Sequence, residues 1–376
     1  MKKSPAPFNR PVVFSIVIPC FNEEATLREC VEAVLRIADD MLNLDIIIVD
    51  DASKDASLTI AQTLEEEFEA VRVVSHAKNQ GKGAALRTGF ALARGEFVAV
   101  QDADLEYNPC ELRGLLAPLV DGRADVVFGS RYRGMSAHRV LYFWHSLMNR
   151  TLTLLSNMFT DLDLTDMETC YKVFRTDIIQ SITIEENRFG FEPEIVAKVA
   201  QQRLRIYEMA ISYSGRTYAE GKKINWKDGL RALYCIFHYS AHCAPVILQF
   251  LIYLFIGGIS AIFNILFFLG LVGSIGVGTS AGIAYILAAV VNYWLCVKLL
   301  FRKGVRWSTW GEFGMYALVV AGSGFVDVAS TTTLASMGVS VAVAKAIACV
   351  IALVANFLGR KYLVFFEPPP PPWTPS

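Results

Sequence analysis

The chain has 376 residues, 53% of them apolar and 19% charged, with a formal net charge of −1. Its positive mean hydropathy is too apolar for an ordinary soluble enzyme of this length, which has room for two domains. The charge balance excludes a broad basic field for nucleic acid, and eight scattered cysteines without a CxxC pair argue against a disulfide framework.

The opening "MKKSPAPFNRPVVF" has charge but no apolar stretch ahead of the first strand, so residues 1–11 read as a tail and no cleaved signal peptide is expected. "VVFSIVIP" (12–19), "LDIIIVD" (44–50), "VRVVSH" (71–76), "GEFVAVQD" (95–102) and "ADVVFGS" (124–130) read as buried strands. "NEEATLRECVEAVLRIADDM", "ASLTIAQTLEEEFE" and "GKGAALRTGFALARG" have the apolar spacing or glycine boundaries of helices. The alternation predicts an α/β domain over 12–227 with a mostly parallel sheet and helices on both faces. Ligands of such sheets bind at the carboxyl ends of the strands, where Asp50, Asp51, Asp102, Asp104, Ser130 and Arg131 fall.

The stretch "QDADLEYNP" (101–109) crowds Asp102, Asp104 and Glu106 onto one strand end. Like charges this close repel unless something positive is near. A Mg²⁺ or Mn²⁺ ion accounts for them, because both prefer oxygen ligands. Such an ion keeps open positions for a diphosphate and stabilises the charge on a departing nucleotide. Other acids have plainer readings. Asp50 fits a cap for a helix beginning near Ser53, whereas Asp51 reads as a ligand. Gly81-Lys82-Gly83 lacks the GxxxxGK[ST] spacing and reads as a tight turn into a helix. Glu192 and Glu194 in "FGFEPEI" either orient a helix or line the acceptor side.

"VLYFWHSLMNRTLTLLSNMF" (140–159) is too apolar for a plain surface helix and either touches lipid or joins the core. Residues 228–245 read as an amphipathic helix in the membrane interface. Its Cys235, His238, His242 and Cys243 are residue types that bind zinc, but the plain interfacial helix is the preferred reading. Four apolar stretches over 246–270, 280–300, 314–336 and 339–359 are each long enough to span a bilayer core of ~30 Å. They make up an all-α membrane domain over 246–366, ahead of a Pro-rich tail at 367–376. Lys298, Arg302, Lys303, Arg306, Arg360 and Lys361 lie on one side of these spans. The positive-inside rule therefore puts both termini and the α/β half in the cytoplasm of a multi-pass cell-membrane protein. "NYWLCVKLLF" (292–301) and "NFLGRKYLVF" (356–365) run from Asn to Phe at one spacing, as if the spans were two related pairs. Asp327 and Lys345, in the third and fourth spans, either pair or stand as separate polar groups facing a subunit interface.

Seven motifs in order, "SIVIPCFNEEATL", "IIIVDDASKD", "NQGKGAALRTGF", "QDADLEYNP", "GSRY", "TDMETCYKVFR" and "SYSGRTYAEGKKI", resemble the family-2 glycosyltransferases over residues 12–230. Within that family they are most similar to dolichyl-phosphate mannose synthases and bacterial polyprenyl-phosphate glycosyltransferases. The membrane half resembles the GtrA family. The resemblance implies a GT-A fold and inverting, metal-dependent transfer of a hexose from GDP-mannose or UDP-glucose to dolichyl or undecaprenyl phosphate. It implies that Pro19, Phe21 and Glu23 line the nucleotide pocket and that Val49 and Asp51 hold base and ribose. Asp102, Ala103, Asp104 and Glu106 would form the metal and diphosphate site. Arg131 and Arg150 would grip phosphates, together with Arg216, Lys222 and Lys223, which stand where the family has its basic loop. The same three charges also suit attraction to anionic lipid. A protein general base is not expected, since a phosphate monoester with a second pKa of about 6 is already anionic. A processive polysaccharide synthase is disfavoured by the lack of a QxxRW stretch. A carrier or flippase for lipid-linked sugar, or a transferase with another lipid or glycan acceptor, is the alternative. A homo-oligomer is compatible with the sequence.

Overall fold

The computed structural model describes residues 8–133, 140, 142–215, 226–301 and 309–365. They form two compact units that divide between Ser240 and Ala241.

The first unit is a seven-stranded mixed sheet covered by helices. β1 (Val12–Cys20), β2 (Leu42–Asp50), β3 (Val71–Ser75) and β4 (Phe97–Val100) are parallel neighbours. Ile16, Ile18, Ile46 and Ile48 are completely buried, as expected for strands covered on both faces. α1 (Leu27–Leu35), α2 (Ser57–Glu67) and α3 (Lys82–Leu92) make the crossovers. α4 (Leu112–Val120) leads to β5 (Val126–Ser130). α5 (Phe143–Thr160) follows, then β6 (Lys172–Arg175), α6 (Thr176–Ser181), α7 (Phe191–Gln201), β7 (Ile206–Ala210) and α8 (Trp226–Ser240).

β6 and β7 extend the sheet beyond the strands legible in the sequence, giving the order β3-β2-β1-β4-β6-β5-β7. β6 runs antiparallel between β4 and β5. It begins on a fully buried lysine, Lys172, whose ammonium donates to the carbonyls of Met167 and Thr169. A charged residue at a core position hides a four-residue strand from any apolar pattern.

α5 and α8 pack together through Phe159 and Phe237, with ring centroids 4.9 Å apart. α5 leaves Phe143, Trp144, Leu147, Met148, Leu154 and Met158 exposed, and α8 leaves Leu230 and Tyr234 exposed. α5 thus presents an apolar stripe, and only its other side, through Leu152 and Phe159, enters the core. In α8, Cys235 packs with Ala197 and Tyr239, and His238 stacks on Tyr234.

The second unit is helical. α9 (Val246–Ile275), α10 (Val277–Leu295), α11 (Thr309–Ser336) and α12 (Val341–Gly359) include four segments long and apolar enough to cross a membrane. α10 and α12 each run into a π-helical turn, at Cys296–Leu300 and Arg360–Val364. Those turns lie within the two Asn-to-Phe stretches, whose closing residues Phe301 and Phe365 stack with centroids 5.1 Å apart. The duplication extends to the first helix of each pair. Tyr253 of "QFLIY" in α9 and Tyr316 of "EFGMY" in α11 are buried in one cluster with Cys296, Phe301, Phe357 and Phe365. Asp327 lies in α11, but the side chain of Lys345 is outside the described residues.

Candidate active site

β1, β2 and β4 end side by side, since Pro19 pairs with Val49 and Val17 with Val100. The segments that follow, beginning at Phe21, Asp51 and Gln101, therefore share one edge of the sheet. Val49 is completely buried, so only its backbone could meet a ligand. Glu23 receives the Thr26 hydroxyl at 3.0 Å, and its own N–H donates to the Ser57 hydroxyl at 2.8 Å.

Asp51 is engaged rather than open. Its carboxylate accepts from the N–H groups of Gln80 (2.9 Å) and Gly81 (2.6 Å) and meets His76 Nδ1 at 2.7 Å. It thereby shapes the turn into α3, where Gly81 has φ +100°, a conformation that favours glycine. Asp50 Oδ2 accepts from the Ser53 N–H at 3.2 Å. Since α2 begins only at Ser57, this bond closes a turn ahead of the helix instead of capping the helix itself.

The turn around Asp51 sends Lys82 to the acidic strand end. Its ammonium lies 2.9 Å from Asp102 and 3.3 Å from Glu192. Burial opposes its charge, but Asp102 and then Glu192 hold its pKa well above the usual lysine range. A cation in the first turn of a helix opposes the helix dipole, which is the signal in "GKGAAL" that a carboxylate partner is near. Glu194, by contrast, accepts from the N–H groups of Glu185 and Glu186 at 2.6 and 2.8 Å and so positions α7. Of the two glutamates in "FGFEPEI", only Glu192 meets the cation beside Asp102, and its Oε2 is buried with no hydrogen-bond partner.

Ala103 is buried, and the loop turns at Leu105, whose φ of +60° is a strained value for a branched side chain. Asp104 Oδ1 accepts from the Glu106 N–H at 3.1 Å. Glu106 turns to the Tyr213 hydroxyl at 2.7 Å. The three-carboxylate metal set is therefore not assembled: among the described residues no group of three or more His, Cys, Asp or Glu side chains is placed to hold an ion. The same holds for the zinc reading of residues 235–243. Asp102 and Asp104 nonetheless fit a hard divalent ion. Both are oxygen donors on one strand end, both act on the buried Cys30 thiol, and Asp102 already attracts a cation in Lys82.

Arg131 is a buried side chain held by two hydrogen bonds to Asp166, Nε at 2.7 Å and Nη2 at 2.8 Å, with its guanidinium over the Tyr213 ring. Burial raises the Asp166 carboxyl, but Arg131 outweighs it and holds the pKa below the usual carboxylate range. Asn149 adds a bond to Asp166 at 3.1 Å. Arg150, the next residue on α5, is exposed and lies over the Tyr132 ring. Of the two arginines, Arg131 is thus neutralised by Asp166 and Arg150 is open to solvent. Close by, burial and then the Glu192 carboxylate push the Glu168 carboxyl up to about 8. Asp166, Glu168 and Tyr213 lie in quoted motifs but had no role assigned from sequence. Arg216, Lys222 and Lys223 lie outside the described residues.

With this geometry established, the family comparisons agree. The glycosyl transferase family 2 model matches residues 15–183, and the GtrA/DPMS transmembrane-domain model matches residues 252–367. The chain belongs to glycosyltransferase family 2, with a GT-A-like domain followed by a GtrA/DPMS-type membrane domain. It is 30% identical to undecaprenyl-phosphate mannosyltransferase of Micrococcus luteus, over 55% of this chain and 85% of that protein. It is also 30% identical to dodecaprenyl-phosphate galacturonate synthase of Rhizobium johnstonii, over 55% of this chain but 61% of that one. Undecaprenyl-phosphate 4-deoxy-4-formamido-L-arabinose transferase of Shewanella sediminis is 29% identical over the same shares. The chain thus matches less than two thirds of the length of these last two relatives.

Proposed function

We propose that this protein transfers a hexose from a nucleotide diphosphate sugar, GDP-mannose or UDP-glucose, to a polyprenyl phosphate at the cytoplasmic face of the cell membrane. The observation that carries the reading is the pair Asp102 and Asp104 at the end of β4, beside the ends of β1 and β2, with Lys82 already drawn to it. The names of the relatives support the acceptor class, and the apolar stripe of α5 supports a lipid-facing site.

Asp102 and Asp104 would hold Mg²⁺ or Mn²⁺, which when bound neutralises the donor diphosphate and the charge it gains on leaving. Lys82 adds a second positive group on the same side. Arg150, exposed on the apolar-striped helix, would receive a lipid phosphate, with Arg216, Lys222 and Lys223 in support. Arg131 acts through Asp166 to position the start of α5. An acceptor phosphate oxygen attacks the anomeric carbon, the bond to the diphosphate breaks, and its electron pair leaves with the nucleotide. The configuration inverts and no proton is removed, so no residue is needed as a base.

The test is purified full-length protein with undecaprenyl or dolichyl phosphate and a panel of nucleotide sugars. One donor should give a glycosyl phospholipid, EDTA should stop the reaction, and polyprenol should not be an acceptor. Turnover in excess EDTA, or efficient glycosylation of polyprenol, would overturn the metal or acceptor assignment respectively.

A further inference from the structure

The membrane unit buries an arginine that has no counter-anion among the described residues. Arg360 opens the second π-helical turn and is 5% exposed. Its Nη1 donates to Asn292 Oδ1 at 2.5 Å and contacts Cys296 Sγ at 3.7 Å, and its Nε donates to Asn356 Oδ1 at 3.1 Å. Its guanidinium lies 4.5 Å from the ring centre of Tyr316 and 5.4 Å from that of Tyr253. Every one of these partners is neutral. The buried carboxylate of the same unit, Glu312, is given instead to the Tyr293 hydroxyl at 2.6 Å. No ion pair among the described residues includes Arg360.

This arrangement is unusual on energetic grounds, because buried charges are normally paired. It is also a product of the duplication. Asn292 and Asn356 are equivalent in the two halves, as are Tyr253 and Tyr316, and all four converge on a single guanidinium. The residue equivalent to Arg360 in the first half is Cys296, so one half supplies the charge and both supply the cage. Amide oxygens and ring faces orient a guanidinium without cancelling its charge. Nη2, which makes no hydrogen bond among the described residues, is left to donate to a phosphate oxygen. Arg360 also lies near the end of the last candidate span, Ala342–Val364. At ~1.5 Å per residue that is within about one helical turn of the span's end, the level at which lipid head groups supply phosphate. Lys361, the next residue, is fixed by the Gln249 side chain at 2.7 Å and adds a second positive charge there.

We infer that the Arg360 cage is a second anion site, separate from the sheet-end site and confined to the membrane unit, which binds the phosphate of a lipid. The test is arginine footprinting of the delipidated full chain in detergent, with phenylglyoxal modification of Arg360 read by peptide mass spectrometry. Undecaprenyl phosphate at ten times its Kd should slow modification about tenfold, and undecaprenol should not. The Arg150→Ala variant should show the same protection, which separates this site from acceptor binding at the sheet. Protection by inorganic phosphate but not by undecaprenyl phosphate would assign the site to the free anion and overturn the lipid proposal. Native mass spectrometry should show one fewer bound lipid phosphate in Arg360→Gln, with partial retention in Arg360→Lys. If those variants do not fold, the footprint on the unmodified chain still decides. Equal protection by undecaprenol, no protection by any phosphate, or an Arg360 that never reacts in the delipidated protein would overturn the proposal.

Discussion

Two buried cations at the sheet end and one in the membrane unit are held in opposite ways. At the sheet end Lys82 meets Asp102 and Glu192, and Arg131 meets Asp166. In the membrane unit Arg360 meets two amides, a thiol and two phenol rings. A carboxylate partner stabilises a cation but must be displaced or shared before a ligand can use its charge. A neutral cage leaves the charge available and relies on geometry alone. The sheet-end site is thus set up for exchange among ions, and the membrane site for one anion at a time.

The largest effect should come from removing a carboxylate at the sheet end. Asp102→Asn should lower kcat by about a thousandfold, comparable to losing a group that stabilises developing charge, while far-ultraviolet circular dichroism stays unchanged. Lys298→Gln, an exposed charge in the other unit, should leave kcat within about twofold, since surface charges contribute little. Comparable losses from the two would break the contrast.

Next in size is stability. Arg131→Met strands the buried Asp166 charge and should cost about 3–5 kcal/mol, with much of that recovered in the double variant Arg131→Met/Asp166→Leu. Arg360→Met strands only neutral amides and should cost about 1–3 kcal/mol. Denaturation of each unit, followed by its own tryptophan or cysteine probe, would compare them, and equal costs would mean that Arg360 has an anionic partner after all.

A smaller loss is expected at the turn that delivers Lys82. A Cβ on Gly81 would collide with the Asn187 carbonyl oxygen, at a φ unsuited to alanine. Gly81→Ala should cost roughly 1–3 kcal/mol and raise the metal concentration needed for half activity. An unchanged metal requirement would separate the turn from the site.

The subtlest test uses pH. Glu168 binds its proton more tightly folded, up to about 8, than at its ordinary 4.5. Between those values the folded chain holds a proton that the unfolded chain releases, so stability falls as pH rises through the window. Glu168→Gln should therefore gain on the natural chain from pH 5 to pH 8 and hold that gain above. A difference that does not vary with pH would mean the carboxylate is charged throughout.

How far the sequence foretold this depends on how local each feature is. β1 and β2 were legible because "VVFSIVIP" and "LDIIIVD" are unbroken apolar runs with nothing else to become. β6 was not, because Lys172 occupies a core position and is satisfied by carbonyls a few residues away. β7, "IYEMA", is a half-exposed edge strand without a strong pattern. At the site, Asp102 and Asp104 stood out because two acids at a strand end need a positive partner. That this partner includes Lys82 was hidden, since the turn that aims it is held by Asp51 and its second carboxylate, Glu192, comes from α7. In the membrane unit the Asn–Phe repeat was visible. The convergence of its asparagines on one arginine was not, because it depends on how two helix pairs pack.

The strand order also sets a timetable for synthesis. β3, β2, β1 and β4 can assemble once the chain has been made to residue 100, but β5 neighbours only β6 and β7. The ribosome, adding ~5–20 residues per second, needs several more seconds to reach β6 after β5 has emerged. In that interval β4 presents an open edge, and the apolar stripe of α5 emerges before any span exists to hold it at a bilayer. Open strand edges and bare apolar faces are where nascent chains aggregate. Slowing translation between residues 130 and 172 should therefore lower the yield of folded protein more than slowing it anywhere among the first four strands.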